Sequence, residues 1–278
     1  MYRNILVNLP TERSPRPVID GAISLAVRCK AQLDAMAVGH EIPNTPFLAE
    51  GGAAIAAISK IEHENALQRA HGALSVFEAE ASNAGIAYNC RALTELQAEA
   101  ATIMGVTSRL YDLTVVAQPE FEGGTFDNTL AQEILFQSGG PVLFIPYTFR
   151  GELHAGRIGI SWDGSRLAAR AVRDAMPLLE QAEAITILTV NETRTVPEHA
   201  SAAHLVRYLA RLGVPTRIVG VTAETADIQL SILSLASDES ISLLVMGGYG
   251  HSRLKETVFG GVTREMLESM TVPTLMSH

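Results

Sequence analysis

One order of short apolar runs and helix-periodic stretches occurs twice in this chain. Tyr2-Arg3-Asn4-Ile5-Leu6-Val7-Asn8 has its counterpart in Gly156-Arg157-Ile158-Gly159-Ile160-Ser161-Trp162. Each run is followed by turn residues and then by an amphipathic segment: PVIDGAISLAVRCKAQL in the first half, SRLAARAVRDAMPLLEQA in the second. In the latter Leu167, Val172, Ala175, Met176 and Leu179 recur at helical spacing. Second strands follow at 33–38 and 184–190. Second helices are expected from about Ser59 to Ala84, with Gly85 beyond the end, and from Glu198 to Leu212, with Pro197 before and Gly213 after. After a third strand and helix, 111–116 matches 240–245, and both halves end on a proline-led run, 141–145 and 273–276.

Such a repeat leaves few folds open. Strands alternating with helices imply parallel sheets with helices on both faces, and continuous apolar strands agree, because a strand buried on both sides does not alternate. Right-handed crossovers bring the carboxyl ends of the strands to one edge, and ligands of such sheets lie outside that edge where the strand order reverses. The seam between the halves is expected at 147–156, where glycine and charge replace the apolar pattern. Domains of 1–150 and 151–278 follow.

Composition excludes several classes of function. At 47% hydrophobic and 18% charged residues, 278 residues can bury real cores. Ten basic against sixteen acidic residues in 1–150, and eleven against fourteen in the remainder, leave neither half with the electrostatic footprint of a nucleic-acid binder. Cys29 and Cys90 stand far apart and in no metal-like spacing, as expected of thiols in a reducing compartment. The opening MYRNILVNLP lacks the apolar core of a signal peptide, and no apolar run is long enough to span a bilayer. A soluble, cytoplasmic protein without membrane partners is the expectation.

The stretch MGGYGHSRLKETVFGGVTREML, Met246 to Leu267, follows the fourth apolar run of the second half. Gly247-x-x-Gly250 turns the chain at the sheet edge, and Gly260-Gly261-Val262-Thr263 opens a segment that reads as helix. Two readings stand side by side. Glycine serves turn geometry wherever φ is positive. Alternatively, a glycine turn facing a helix start, whose first amides lack internal partners, forms a backbone cradle for phosphates, with Thr263 adding a hydroxyl.

G-x-x-G, nine residues and then G-[ST] resembles the signature of nucleotide-binding universal stress proteins, and Gly247, Gly250 and Gly260 fit its spacing. Ile160-Ser161-Trp162-Asp163-Gly164-Ser165 resembles that family's first strand and acidic turn, and the two-half plan resembles its tandem members. The resemblance implies an α/β fold of two tandem, doubly wound, Rossmann-like domains, of the adenine nucleotide alpha hydrolase type, related by pseudo-twofold symmetry. It implies ATP or a related adenine nucleotide in the second half, with Mg²⁺ as an accompanying ion. Asp163 and Ser161 would lie by adenine and ribose, Val190 would touch adenine, and Met246 would flank the nucleoside. Gly247, Gly250, Gly260, Gly261, Val262 and Thr263 would hold the phosphates. Gly261 stands where the family has Ser or Thr, so one hydroxyl is missing. A lost charge-assisted hydrogen bond costs about 1.5–3 kcal/mol, roughly tenfold to a hundredfold in affinity. The resemblance also implies that the two final strands meet across the pseudo-twofold, and it leaves room for a further homodimer.

In the first half the equivalent stretch reads QPEFEGGTFD, without GxxG, and Glu120, Glu122 and Asp127 would repel a polyphosphate. Asn8-Leu9-Pro10 stands where Asp163 stands in the other half, so at most one competent site is expected. Asp163 also suits a turn and helix cap beside Ser165, a role that excludes no other. His251, Arg253 and Lys255 fit a charged loop, Trp162 a packed residue, and Glu62-His63-Glu64 a solvated face. No nucleophile elbow, Walker-type loop or general base is apparent, so no catalytic residue is assigned. Slow ATP hydrolysis, driven only by a phosphate cradle with Mg²⁺, stays open.

Overall fold

The computed structural model describes residues 1–41, 52–120, 125–248 and 262–278. Its first half runs β1 (Asn4–Leu9), α1 (Arg16–Cys29), β2 (Gln32–His40), α2 (Gly52–Ala84), β3 (Tyr88–Glu95), α3 (Gln97–Ser108), β4 (Leu113–Ala117), α4 (Phe126–Gln137) and β5 (Val142–Ile145). The second half runs β6 (Arg157–Ser161), α5 (Arg166–Asp174), α6 (Met176–Leu179), β7 (Ala184–Val190), α7 (Glu192–Thr195), α8 (Ala202–Leu209), β8 (Thr216–Val221), α9 (Ile228–Asp238), β9 (Leu243–Gly247), α10 (Val262–Ser269) and β10 (Thr274–Ser277).

The strands form one ten-stranded sheet in the order β3-β2-β1-β4-β5-β10-β9-β6-β7-β8. Each half contributes five parallel strands in the same relative order, and the halves join through the antiparallel β5–β10 pair, with Leu275 opposite Leu143. The final strands of the two halves therefore do meet, and neither remains an exposed edge open to pairing with another chain. The edges left are β3 and β8.

Because β1, β4, β6 and β9 carry apolar side chains on both faces, each face builds its own core. Ile5 and Val7 point to α1 and α2, and Ile158 and Ile160 to α5 and α8, in one cluster. Leu6, Val116, Leu244 and Met246 meet α3, α4, α9 and α10 in the other. Both clusters run across the seam. Leu153 and Ala155, within the segment that links the halves, are buried, and the amide of Leu153 donates to Ser24 Oγ on α1 at 2.9 Å. The connection is part of the core rather than a solvated linker.

Two helices depart from the periodicity. The expected helix over 165–182 ends at Asp174 and resumes as α6, because Pro177 has no N–H to continue the ladder. The expected helix over 198–212 is interrupted at Ser201, which is extended (φ −62°, ψ 156°) and precedes α8. Glu192 Oε1 accepts the amide of Ala202 at 2.6 Å, so a carboxylate ten residues upstream satisfies the helix start there. Gly85 and Gly213 are in the left-handed region (φ 65° and 68°), as helix-ending glycines should be. Among the described residues no helix is long and apolar enough to cross a membrane.

Candidate functional site

In the second half the strand order reverses between β6 and β9, so the crossovers leave toward opposite faces there and open a crevice at the carboxyl edge. Ser161 and Met246 are register partners at that point, Ser161 also pairs with Leu188 on β7, and Val190 ends β7 on the same edge. Since α10 precedes β10, a strand parallel to β9, its first residues Val262 and Thr263 return to this edge. Ser161, Val190, Met246, Gly247, Val262 and Thr263, scattered through the sequence, thus border one crevice. Met246 and Thr263 are buried, and the others are partly exposed. Gly250, Gly260 and Gly261 lie outside the described residues, as do His251, Arg253 and Lys255.

The described part of the glycine stretch has local reasons for its composition. Gly247 is an extended strand residue, so the positive φ expected from a glycine turn is not what it supplies. A β-carbon there would lie 2.7 Å from the backbone N of Ala168 and 2.8 Å from the carbonyl carbon of Leu167. Glycine lets β9 pass directly beneath the first turn of α5. The Gly248 amide donates to Ser277 O at 2.9 Å, extending the β9–β10 ladder by one bond.

Asp163 is exposed and takes the turn-and-cap role. Its Oδ1 accepts the amide of Ser165 at 2.9 Å, and Ser165 Oγ accepts that of Ala168 at 3.1 Å at the start of α5. Gly164 between them does need its freedom. Its φ is 71°, and a β-carbon would meet Val196 Cγ1 at 2.7 Å. Trp162 is packed, as expected, and its indole N–H donates to Ala200 O at 2.7 Å.

Two residues at these edges escaped the sequence reading. Asn191 follows β7 in the left-handed region (φ 58°). Its side-chain amide donates to Ala223 O at 2.7 Å and accepts the Ala223 amide at 3.1 Å, tying together the exits of β7 and β8. The available signal was an Asn directly after an apolar strand, since Asn tolerates that backbone better than most residues. Gln118 is fully buried at the end of β4. Its Nε2 donates to Leu267 O at 2.9 Å and Glu268 O at 3.3 Å, carbonyls near the carboxyl end of α10, while Oε1 accepts the Tyr147 amide at 3.3 Å. A side chain of the first half therefore holds the far end of the helix that opens on the second half's crevice. A lone Gln after a strand carries no sequence signal of that kind.

In the first half the corresponding edge is closed by the protein's own carboxylates. Asp127, buried in the first turn of α4, accepts the amides of Thr11 and Glu12 at 3.0–3.3 Å, and Glu12 Oε2 accepts the amide of Phe126 at 2.9 Å. These are loop and helix-start amides of the kind an anionic ligand would need. Burial pushes the Asp127 carboxyl above its usual value, with the Glu12 amide, Arg13 and the Thr11 amide pulling the other way. Glu120 lies 3.4 Å from Arg13, and Glu122 is outside the described residues. Asp127 and Glu12 thus take these donors themselves.

Other sequence candidates have structural partners. His63 Nδ1 lies 2.7 Å from Glu41 on an exposed face. Among the described residues no group of three or more His, Cys, Asp or Glu could hold a metal ion. Cys29 is buried and Cys90 half-buried. Burial raises both thiols, that of Cys90 to about 12 with help from Glu78.

Comparison with known proteins bears on this geometry. Residues 155–278 match the model of the universal stress protein family. A universal stress protein of the cyanobacterium Synechocystis is 27% identical over 96 residues, a match that spans 32% of this chain and only 30% of that relative. The crystal structure of a universal stress protein from Archaeoglobus fulgidus superposes with a TM-score of 0.73 at 14% identity, over 98% of this chain and 95% of that one. A functionally unknown protein from Pseudomonas aeruginosa PAO1 superposes with a TM-score of 0.58 at 14% identity, over 99% and 92%. At such identities the superpositions show the fold: two doubly wound, Rossmann-like halves over the whole chain. Residues 155–278 thus match a universal stress protein family domain, and the likeness of the whole chain to solved universal stress proteins is one of fold.

Proposed function

We propose that the second half, residues 151–278, binds an adenine nucleotide, ATP or a close relative, and that the chain works as a sensor or regulatory binding module in a stress response. Ser161 and Asp163 would border ribose and base, Val190 and Met246 would flank adenine, and the amides of Gly247, Gly250, Gly260, Gly261 and Val262 with the Thr263 hydroxyl would receive the phosphates. An Mg²⁺ ion would travel with the phosphates. Residues 1–150 would serve as scaffold, with a site that has lost its ligand.

One observation carries this reading. The Ser161–Met246 pair sits where the strand order reverses, and the first turn of α10 returns to the same edge. A helix start facing a crevice presents the positive end of its dipole to an anion. The contrast with the first half supports it, since Asp127 and Glu12 occupy the equivalent donors there. Gly247 and Gly248 favour a second reading, an interaction protein without ligand, because packing and ladder bonding account for both.

Calorimetric titration with ATP and AMP, on wild type and on Gly250→Glu, separates the two. Saturable heat in the wild type that the variant lacks supports the nucleotide site, and no heat with either nucleotide overturns it. Sustained phosphate release at high protein concentration would make the protein a slow ATPase instead of a passive sensor.

A further inference from the structure

A second concavity lies between α5 and α8 on the outer face of the second half, with one end beside the Asp163 turn. Its volume is about 540 Å³. Trp162 and Gly164 close one end, and Val172 and Leu205 contribute apolar walls. That closed end is held firmly: the Trp162 indole is bonded to Ala200 O, and Gly164 admits Val196 and Ala200 at close range. The volume falls in the range of small-molecule sites, which pair an apolar lining with a few polar groups.

The rim carries two arginines. Arg166 and Arg173 project from α5 one heptad apart, about 10.5 Å along the axis, and face His199 and His204 across the groove. All four are exposed. Neither arginine has an ion pair or hydrogen bond among the described residues. By contrast Arg170 on the same helix pairs with Asp174. His204 Nδ1 bonds Ser201 Oγ at 2.9 Å, and Tyr208 beyond it carries Arg211 over its ring at 4.8 Å. In a chain of net charge −9, two arginines lining one apolar hollow, with no Asp or Glu in its lining, constitute a local inversion of sign.

We infer that this groove is a binding site for an amphipathic organic anion, whose apolar body lies on the Val172–Leu205 walls and whose carboxylate or phosphate is held by Arg166 and Arg173. Guanidinium groups suit either anion, because their fixed fork of donors matches both geometries. None of Ser161, Asp163, Val190, Met246, Gly247, Val262 and Thr263 lines this groove, so the inference does not depend on the nucleotide reading.

The chain contains a single tryptophan, so emission at Trp162 reports on this groove. Octyl phosphate is the probe, with inorganic phosphate and 1-octanol supplying its two halves separately, and octanoate testing carboxylate against phosphate. The expected result is a saturable emission change with octyl phosphate or octanoate, and at least tenfold weaker responses with phosphate or octanol alone. Arg166→Gln/Arg173→Gln, with unchanged far-ultraviolet dichroism and melting temperature, should weaken binding at least tenfold, the loss expected for charge-assisted contacts. Excess ATP should not displace the probe. No saturable response, an equal response in the folded double variant, or displacement by ATP overturns the inference.

Discussion

Gly247→Ala adds one methyl group at a point where the structure allows none. The new β-carbon would stand 2.7 Å from Ala168 N, 2.8 Å from Leu167 C and 3.0 Å from Leu167 Cβ. Two of these neighbours are backbone atoms in the first turn of α5, and that turn is anchored by the Ser165 cap and the Asp163 turn. Nor can β9 retreat easily, being hydrogen-bonded to β6 on one side and β10 on the other. Overpacking of this kind costs about 1–3 kcal/mol. In a domain of this size each kcal/mol shifts the melting temperature by about 2–4 °C, so a fall of about 2–12 °C is expected by scanning calorimetry without ligand. Gly248→Ala is the control. Its β-carbon would meet the end of the Leu135 side chain at 3.2 Å, which can turn aside, so a shift of at most about 1–2 °C is expected. If Gly247→Ala melts with the wild type, or Gly248→Ala is the more damaging, then close passage of β9 under α5 is not why glycine stands there.

Gln118→Leu would leave the α10 carbonyls of Leu267 and Glu268 buried without their partner, at about 1–3 kcal/mol for each unsatisfied group. The unfolding free energy from urea titration should fall by a corresponding total of about 2–6 kcal/mol, and a loss under about 0.5 kcal/mol would contradict the clamp. Asp127 has a folded pKa above its ordinary 3.8, so the folded state holds its proton more tightly than the unfolded chain does. Its contribution to stability therefore falls as pH rises from that ordinary value through the raised one. Thermal melts across this window should show Asp127→Asn gaining on the wild type as pH rises, and a gap that closes with rising pH would refute the sign.

Much of the candidate site was legible because its parts are local. Strand ends, a turn acid and a glycine-led helix are each set by a few adjacent residues, and β6, β7, β9 and α10 lie where the repeat predicts them. The interruptions in the long helices were less so. Pro177 was visible in the sequence, but Ser201 breaks its helix beside a carboxylate from Glu192, ten positions away. The first-half edge was read as repulsive from its acids. Only the folded positions reveal that Asp127 and Glu12 accept each other's neighbouring amides.

By itself the sequence determined the doubly wound class and the twofold plan. Hydrophobic period and run length decide which segments bury one face and which bury two, and a chain alternating such segments has few ways to cover its strands. The tertiary structure alone decided that Gly247 answers to α5, that Gln118 reaches across the seam to α10, and that two arginines without an ion pair among the described residues line an apolar groove. Each of these depends on distances between residues far apart in the chain. A periodic pattern encodes which way a side chain faces, while what it meets there is set by how the elements pack.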